Sequence, residues 1–113
     1  MMTTDIGEAR IRVPDQIKRG DLITVNAIIS HPMDTGFFRT AEGSPIPAYF
    51  IKHVVVTYGD QEVARFDWTS GISRDPVVSF TLRAEKEAPL SMVWSDNKGA
   101  SFKQSVHISF GSA

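Results

Sequence analysis

The three histidines are the residues of this sequence whose side chains are best suited to chemistry. His31, His53 and His107 could in principle bind a metal ion, with Met33 as a soft ligand that suits copper. Their spacing matches no metal-ligand pattern, and only His31 falls in a predicted loop. Histidine is common at partly buried positions, so we interpret them as three unrelated residues. A small periplasmic copper-binding β-sandwich protein that uses His31 and Met33 is kept as the alternative hypothesis.

The carboxylates form no recognisable catalytic arrangement. Acid–base catalysis needs paired carboxylates, or a histidine with a carboxylate in a pocket, and only Asp34 lies near a histidine in the sequence. Asp96 is a second, isolated acid. An aspartate in a loop more often forms a turn by accepting a hydrogen bond from the backbone two residues on. We therefore expect no enzymatic activity from this chain, and no cofactor or metal.

Composition excludes several other classes of function. The 113 residues include no cysteine, which rules out disulfides, thiolate catalysis and cysteine-ligated zinc. A net charge of −1 gives no electrostatic reason to expect binding to nucleic acid or to an anionic membrane. No apolar run approaches the ~18 residues of a membrane-spanning helix. The first residues, with Asp5 and Glu8, lack the apolar segment of a signal peptide, so we expect export, if any, to depend on a partner that carries a signal.

Residues 31–47, HPMDTGFFRTAEGSPIP, are predicted to form an unusually long loop. Connections in small domains usually span about 4–6 residues, and longer ones are typically functional or disordered. This segment is too apolar for a solvated linker, so we expect an ordered loop that packs on its own domain, on a partner or on both. Phe37 and Phe38 beside Arg39 are typical of interface anchors. The alternative is that one or both phenylalanines cap an open end of the fold.

The elements that must position this loop are predicted to be short strands. Period-2 alternation of apolar and polar residues marks seven segments, at residues 9–13, 22–30, 49–58, 61–68, 77–84, 90–95 and 101–110. No segment has helical periodicity. This spacing favours an all-β, immunoglobulin-like β-sandwich of about seven strands, as a single domain over residues 1–113. Trp68 and Trp94 are predicted core residues. In the third strand, simple alternation places Ile51 on the face opposite Val54 and Val56.

Several motifs in a fixed order resemble one known family. Residues 28–36, IISHPMDTG, are similar to the LISHPMETG signature of the SoxZ family, with Asp34 in place of glutamate. The resemblance continues through Pro45-Ile46-Pro47, then TYGDQEV at residues 57–63, GISRDP at 71–76 and WSDNKG at 94–99, where Asn97 and Lys98 make the turn less acidic. It covers residues 9–110, and the order and spacing of the motifs make it specific.

The resemblance implies a role in sulfur oxidation. SoxZ proteins are non-catalytic subunits of the SoxYZ heterodimer of the thiosulfate-oxidation (Sox) system. Their partner SoxY carries sulfur intermediates on a cysteine in a flexible, Gly-rich C-terminal arm. The resemblance therefore implies a SoxY-like partner, contact with Sox enzymes through the complex, and co-export to the periplasm with that partner. It implies neither nucleic-acid nor membrane binding. A third hypothesis is a module that associates with itself through an exposed strand edge.

Within this framework we assign partner binding to the loop. The predicted partner-binding residues are His31, Pro32, Met33, Asp34, Phe37, Phe38, Arg39, Ile46 and Pro47.

Overall fold

Seven antiparallel strands in two sheets form the computed structural model, which describes residues 6–111. The strands are β1 (Ala9–Arg12), β2 (Leu22–Ile29), β3 (Ile51–Tyr58), β4 (Gln61–Asp67), β5 (Val77–Arg83), β6 (Ala88–Asp96) and β7 (Ser101–Ile108). One sheet has the order β1-β2-β5 and the other β4-β3-β6-β7. The predicted all-β, immunoglobulin-like sandwich is confirmed. The N-terminal segment with Asp5 that figured in the signal-peptide argument lies outside the described residues.

The core lies between the inward faces of the two sheets. Strand β2 alternates strictly between exposed and buried residues, as expected for a strand with one face on the core and one in solvent. Strand β6 is one of the two central strands of the larger sheet, and Trp94 in it is fully buried. Trp68 is half-buried and packs against the edge of the core. No helix in the described residues is long and apolar enough to cross a membrane.

Strand β3 departs from the alternation that its sequence predicts. Ile51 is buried on the same side as Val54 and Val56, so its predicted placement on the opposite face is wrong. The cause is a bulge in the pairing of β3 with β6. Ile51 pairs with Asp96 and His53 pairs with Ser95, so β3 has one extra residue between two successive residues of β6. One extra residue in a strand shifts the following side chains to the other face. The bulge thus lets β3 begin with a core residue directly after the long loop.

Candidate functional site

The loop between β2 and β3, residues 30–50, connects the two sheets and is ordered by its own backbone hydrogen bonds. At its base, Asp34 and Tyr49 exchange two bonds, with N–H donors 2.7 and 3.0 Å from the carbonyl oxygens. Further out, the Ile46 N–H donates to the Phe38 carbonyl at 2.9 Å. The two limbs of the loop therefore run side by side as a narrow arm. The loop is ordered, as predicted. Its two limbs are joined by isolated β-bridges and do not form a regular strand pair.

His31 forms the buried base of this arm. Its side chain is only 1% exposed, and Nδ1 accepts a hydrogen bond from the Met33 N–H at 3.1 Å. The bond holds Met33 in a left-handed conformation with φ of 51°, which non-glycine residues adopt infrequently. Since Nδ1 is an acceptor, the neutral ring carries its proton on Nε2, an atom without a hydrogen-bond partner in the described structure.

Burial decides the charge state of His31. Desolvation lowers the pKa of the imidazole below its ordinary 6.5, although the nearby carboxylates of Asp96, Asp34 and Asp75 act in the opposite direction and Lys98 adds slightly to the lowering. A neutral ring is also the form that can accept the Met33 N–H. Desolvation and hydrogen bonding therefore favour the same neutral state, and this side chain acts as a fixed structural acceptor.

Asp75 clamps the backbone of His31 from the loop that precedes β5. Its N–H donates to the His31 carbonyl at 2.9 Å, and its Oδ1 accepts the His31 N–H at 3.0 Å. Asp75 itself has φ of 51°, a conformation that aspartate tolerates better than most residues because its short side chain bonds locally. The GISRDP motif thus serves to fix the start of the β2–β3 loop.

The turn between β6 and β7 supports the other limb of the loop. Asn97 accepts the Phe50 N–H on Oδ1 and donates from Nδ2 to the Ala48 carbonyl, both at 2.9 Å. Asp96, which is buried, accepts the N–H groups of Lys98 and Ala100 on Oδ1, both at 2.9 Å. The WSDNKG motif therefore shapes the turn with Asp96 and holds the loop with Asn97.

Tyr49 covers the buried histidine and links it to that turn. Its ring centroid lies 4.4 Å from the imidazole of His31, and the Lys98 ammonium lies 4.1 Å from the centroid of the Tyr49 ring. Burial, together with the charge of Asp96, raises the pKa of the Tyr49 phenol. Tyr49 therefore contributes to the burial of the His31 side chain, which is only 1% exposed.

The residues of the copper hypothesis are already engaged within the fold. Nδ1 of His31 accepts the Met33 N–H, and Sδ of Met33 accepts the Ile51 N–H at 3.3 Å. His53 lies exposed on β3, where Nδ1 is 2.9 Å from the Asp67 carboxylate, and His107 is exposed on β7. Within residues 6–111, no three His, Asp or Glu side chains come together as a possible metal site.

Two adjacent phenylalanines project from the arm. Phe37 is 89% exposed and Phe38 65%, so the hypothesis that they cap the sandwich is wrong for both. The Phe37 N–H donates to Thr35 Oγ1 at 3.1 Å. The preceding Gly36 has φ of 89°, and a Cβ at that position would lie 3.2 Å from the Ala48 Cβ. Glycine therefore permits both the turn and the close contact that direct the aromatic pair outward.

The remaining predicted partner-binding residues fall into two groups. Pro32, Asp34 and Ile46 are half-buried, whereas Arg39 and Pro47 are exposed. Arg39 braces the arm by donating to the Gly43 carbonyl at 2.9 Å. The side chains of His31 and Met33 are buried and contribute to the shape of the loop. Direct contact with a partner stays a prediction for the exposed members of the set.

Sequence reasoning missed three residues that build the site, namely Asp75, Asp96 and Asn97. Asp75 and Asn97 lie 44 and 47 residues from the backbone groups that they bind, so no local spacing pattern reveals the contacts. The available signal was their position inside two of the family-like motifs, one before a proline and one in a turn.

Fold and site together define an immunoglobulin-like domain whose long loop presents an aromatic pair. The sequence profile described as "Sulphur oxidation protein SoxZ" matches residues 11–107. The chain therefore belongs to the SoxZ family, and the resemblance noted in the sequence is confirmed. No curated protein matches the chain significantly in sequence.

Several solved structures share the fold of this chain. A superoxide reductase (neelaredoxin) from Ignicoccus hospitalis has a TM-score of 0.70 at 17% identity, covering 94% of this chain and 82% of that one. The sulfur carrier protein SoxY from Chlorobium limicola f thiosulfatophilum has a TM-score of 0.62 at 19% identity, covering 91% and 78%. At these identities the likeness shows the shared fold alone.

Proposed function

We propose that this chain is the non-catalytic subunit of a SoxYZ-like heterodimeric sulfur-carrier complex. It binds a SoxY-like subunit and presents that subunit's cysteine-bearing C-terminal arm to Sox enzymes during the oxidation of thiosulfate or related sulfur compounds. The observation that carries the proposal is the SoxZ profile match over residues 11–107. The absence of cysteine supports it, because covalently held sulfur then needs a thiol on another chain.

The geometry of the buried polar residues supports a non-catalytic role. His31 and Asp96 are the buried polar or charged residues in the described part of the chain. General acid–base catalysis requires a group within hydrogen-bond reach of the substrate. Both side chains are instead enclosed beneath the loop, where they bond to or lie beside backbone groups of the same chain.

The aromatic end of the arm is the contact that we assign to the partner. Phe37 and Phe38 expose most of their surface on a loop that is braced by backbone bonds. Aromatic side chains held in place before binding lose little conformational entropy on association, and such residues are typical anchors of protein interfaces. Arg39 and Pro47 extend the same exposed surface.

We place the complex in the periplasm, with export driven by a signal sequence on the SoxY-like subunit. The test is fractionation of cells that express this chain with or without that subunit. Periplasmic recovery only in the presence of the subunit supports the assignment, and recovery in the cytoplasm in both cases contradicts it.

The direct test of the proposed function is co-expression with a SoxY-like protein, which we expect to be encoded beside this chain, followed by size exclusion. The expected result is co-elution as a stable heterodimer. Separate elution of the two folded chains at micromolar concentration would overturn the proposal.

A further inference from the structure

The outer face of the three-stranded sheet carries exposed apolar and basic side chains together. Leu22 and Val77 are each 62% exposed, and Ile28, which pairs with Val77, is also exposed. The arginines of the same strands point to this side as well, because they alternate with buried residues. We call this surface the arginine face, made of Arg10, Arg12, Leu22, Ile28, Val77 and Arg83.

Strand register makes one end of the arginine face continuous, whereas Leu22 and Arg83 lie at the other end, beyond the polar pairs Asn26–Ser79 and Thr24–Thr81. Arg10 pairs with Ile28, and Ile28 pairs with Val77, so these three form one row across the sheet. Neighbouring strands lie about 4.8 Å apart, which places their side chains in contact range. A shallow groove of about 280 Å³ runs beside this row and also borders Arg12. The surface therefore combines a shallow groove with the adjacent aliphatic side chains of Ile28 and Val77.

The charge of the arginine face is unbalanced. Strands β1, β2 and β5 contain three arginines and no Asp, Glu or Lys. None of the three arginines forms a salt bridge within the described residues, although Glu8, Asp21 and Glu85 lie just outside the three strands. Arg83 donates to the Gly20 carbonyl at 2.9 Å. The four-stranded sheet differs, since its Arg65 pairs with Glu62 at 2.9 Å. Arginine is also the cation that is enriched in protein interfaces, whereas lysine is depleted.

Strand β5 leaves its outer edge open beside this face. It is the last strand of its sheet, and Arg83 at its end is its only charged residue. Proteins usually protect such edges with charges, as in the edge strand β4, which carries Glu62, Arg65 and Asp67. An unprotected edge is able to accept an added strand from another chain.

We infer that the arginine face forms a second protein-docking surface, which receives an acidic segment of another protein that enters over the open edge of β5 and lies across the three strands. Its carboxylates pair with Arg10 and Arg12, and its apolar side chains cover Ile28 and Val77. A second copy of this chain fits poorly, because it would bring a like-charged face to the same edge. The inference goes beyond the proposed function, since the surface shares no residue with the β2–β3 loop.

The test is an NMR titration of the isotope-labelled full chain with a short peptide in which glutamate alternates with valine. We expect the amide signals of β1 and β5 to shift and those of Phe37 and Phe38 to stay unchanged. Arg12→Glu should weaken the binding by about tenfold, as expected for reversal of an interface charge. Arg65→Glu on the other sheet is the matched control and should leave the affinity unchanged.

Four outcomes would overturn the inference. They are equal affinity for Arg12→Glu and the unchanged chain, equal binding of a peptide with lysine in place of glutamate, no shift at all, or shifts confined to the loop. Sedimentation of the chain alone tests whether a second copy of the chain occupies this face instead. A homodimer that dissociates on Val77→Lys would assign this face to a second copy and contradict the acidic partner.

Discussion

His31 shows how a residue that looks chemically active in the sequence becomes structural in the fold. It sits at the base of the long loop, where its Nδ1 supports the left-handed Met33 and its backbone is clamped by Asp75. The sequence suggested partner binding for His31, with copper binding as the alternative. It could not reveal the burial, because the covering groups come from Tyr49 and from the distant β6–β7 turn.

Replacing His31 tests this structural role. His31→Leu leaves the buried N–H of Met33 without an acceptor, and we expect a loss of about 1–3 kcal/mol in the free energy of unfolding. His31→Asn places an oxygen where Nδ1 was and should lose clearly less. Urea denaturation measures both. Equal stability of His31→Leu and the unchanged protein would show that the hydrogen bond is unimportant.

The lowered pKa of His31 predicts a pH dependence of stability. In the unfolded chain the imidazole titrates near 6.5, whereas in the folded chain it stays neutral to lower pH. Unfolding therefore takes up a proton between these two pKa values, so the stabilisation is complete above 6.5 and is lost as the pH falls below it. Urea denaturation across this range measures the effect. His31→Asn should remove this component and the exposed-residue control His107→Asn should keep it; the same slope in His31→Asn would contradict the assignment.

Among the elements, β2 was predictable from the sequence and the start of β3 was not. Strict alternation in β2 reports a strand with one buried face, and its observed burial follows that pattern. In β3 the bulge after Ile51 shifts the alternation of buried and exposed residues. The first residue of the strand must both continue from the long loop and pair with β6. Such a demand comes from the tertiary arrangement, so local periodicity cannot reveal it.

The β6–β7 turn holds the β2–β3 loop through Asn97, which gives a prediction for that element. Asn97→Ala removes two side-chain bonds, to the Phe50 N–H and the Ala48 carbonyl. We expect local opening at the end of the loop to become easier by on the order of 1 kcal/mol. Hydrogen exchange at the Phe50 amide should be faster. Asn26→Ala, at an exposed asparagine of β2, is the matched control, and unchanged exchange at Phe50 in Asn97→Ala would contradict the role of the turn.

At the scale of the whole molecule, the sequence predicted the architecture better than the surfaces. Seven short alternating segments and the family-like motifs were enough for the sandwich, since side-chain alternation determines which face of each strand is buried. The net charge of −1 does not reveal that the two sheets differ in how their charged residues are distributed. That difference depends on which strands become neighbours, and therefore appears only when β1, β2 and β5 are placed side by side.

The central claim is that the aromatic end of the loop binds a SoxY-like subunit, and calorimetric titration of that subunit into this chain tests it most directly. Phe37→Ala combined with Phe38→Ala should weaken binding by more than ~2 kcal/mol, roughly thirtyfold. The melting temperature should hardly change, because both side chains are largely exposed. Val63→Ala, an exposed apolar position on β4, is the control and should bind normally. Unchanged affinity of the double variant, above all with a lowered melting temperature, would contradict the account.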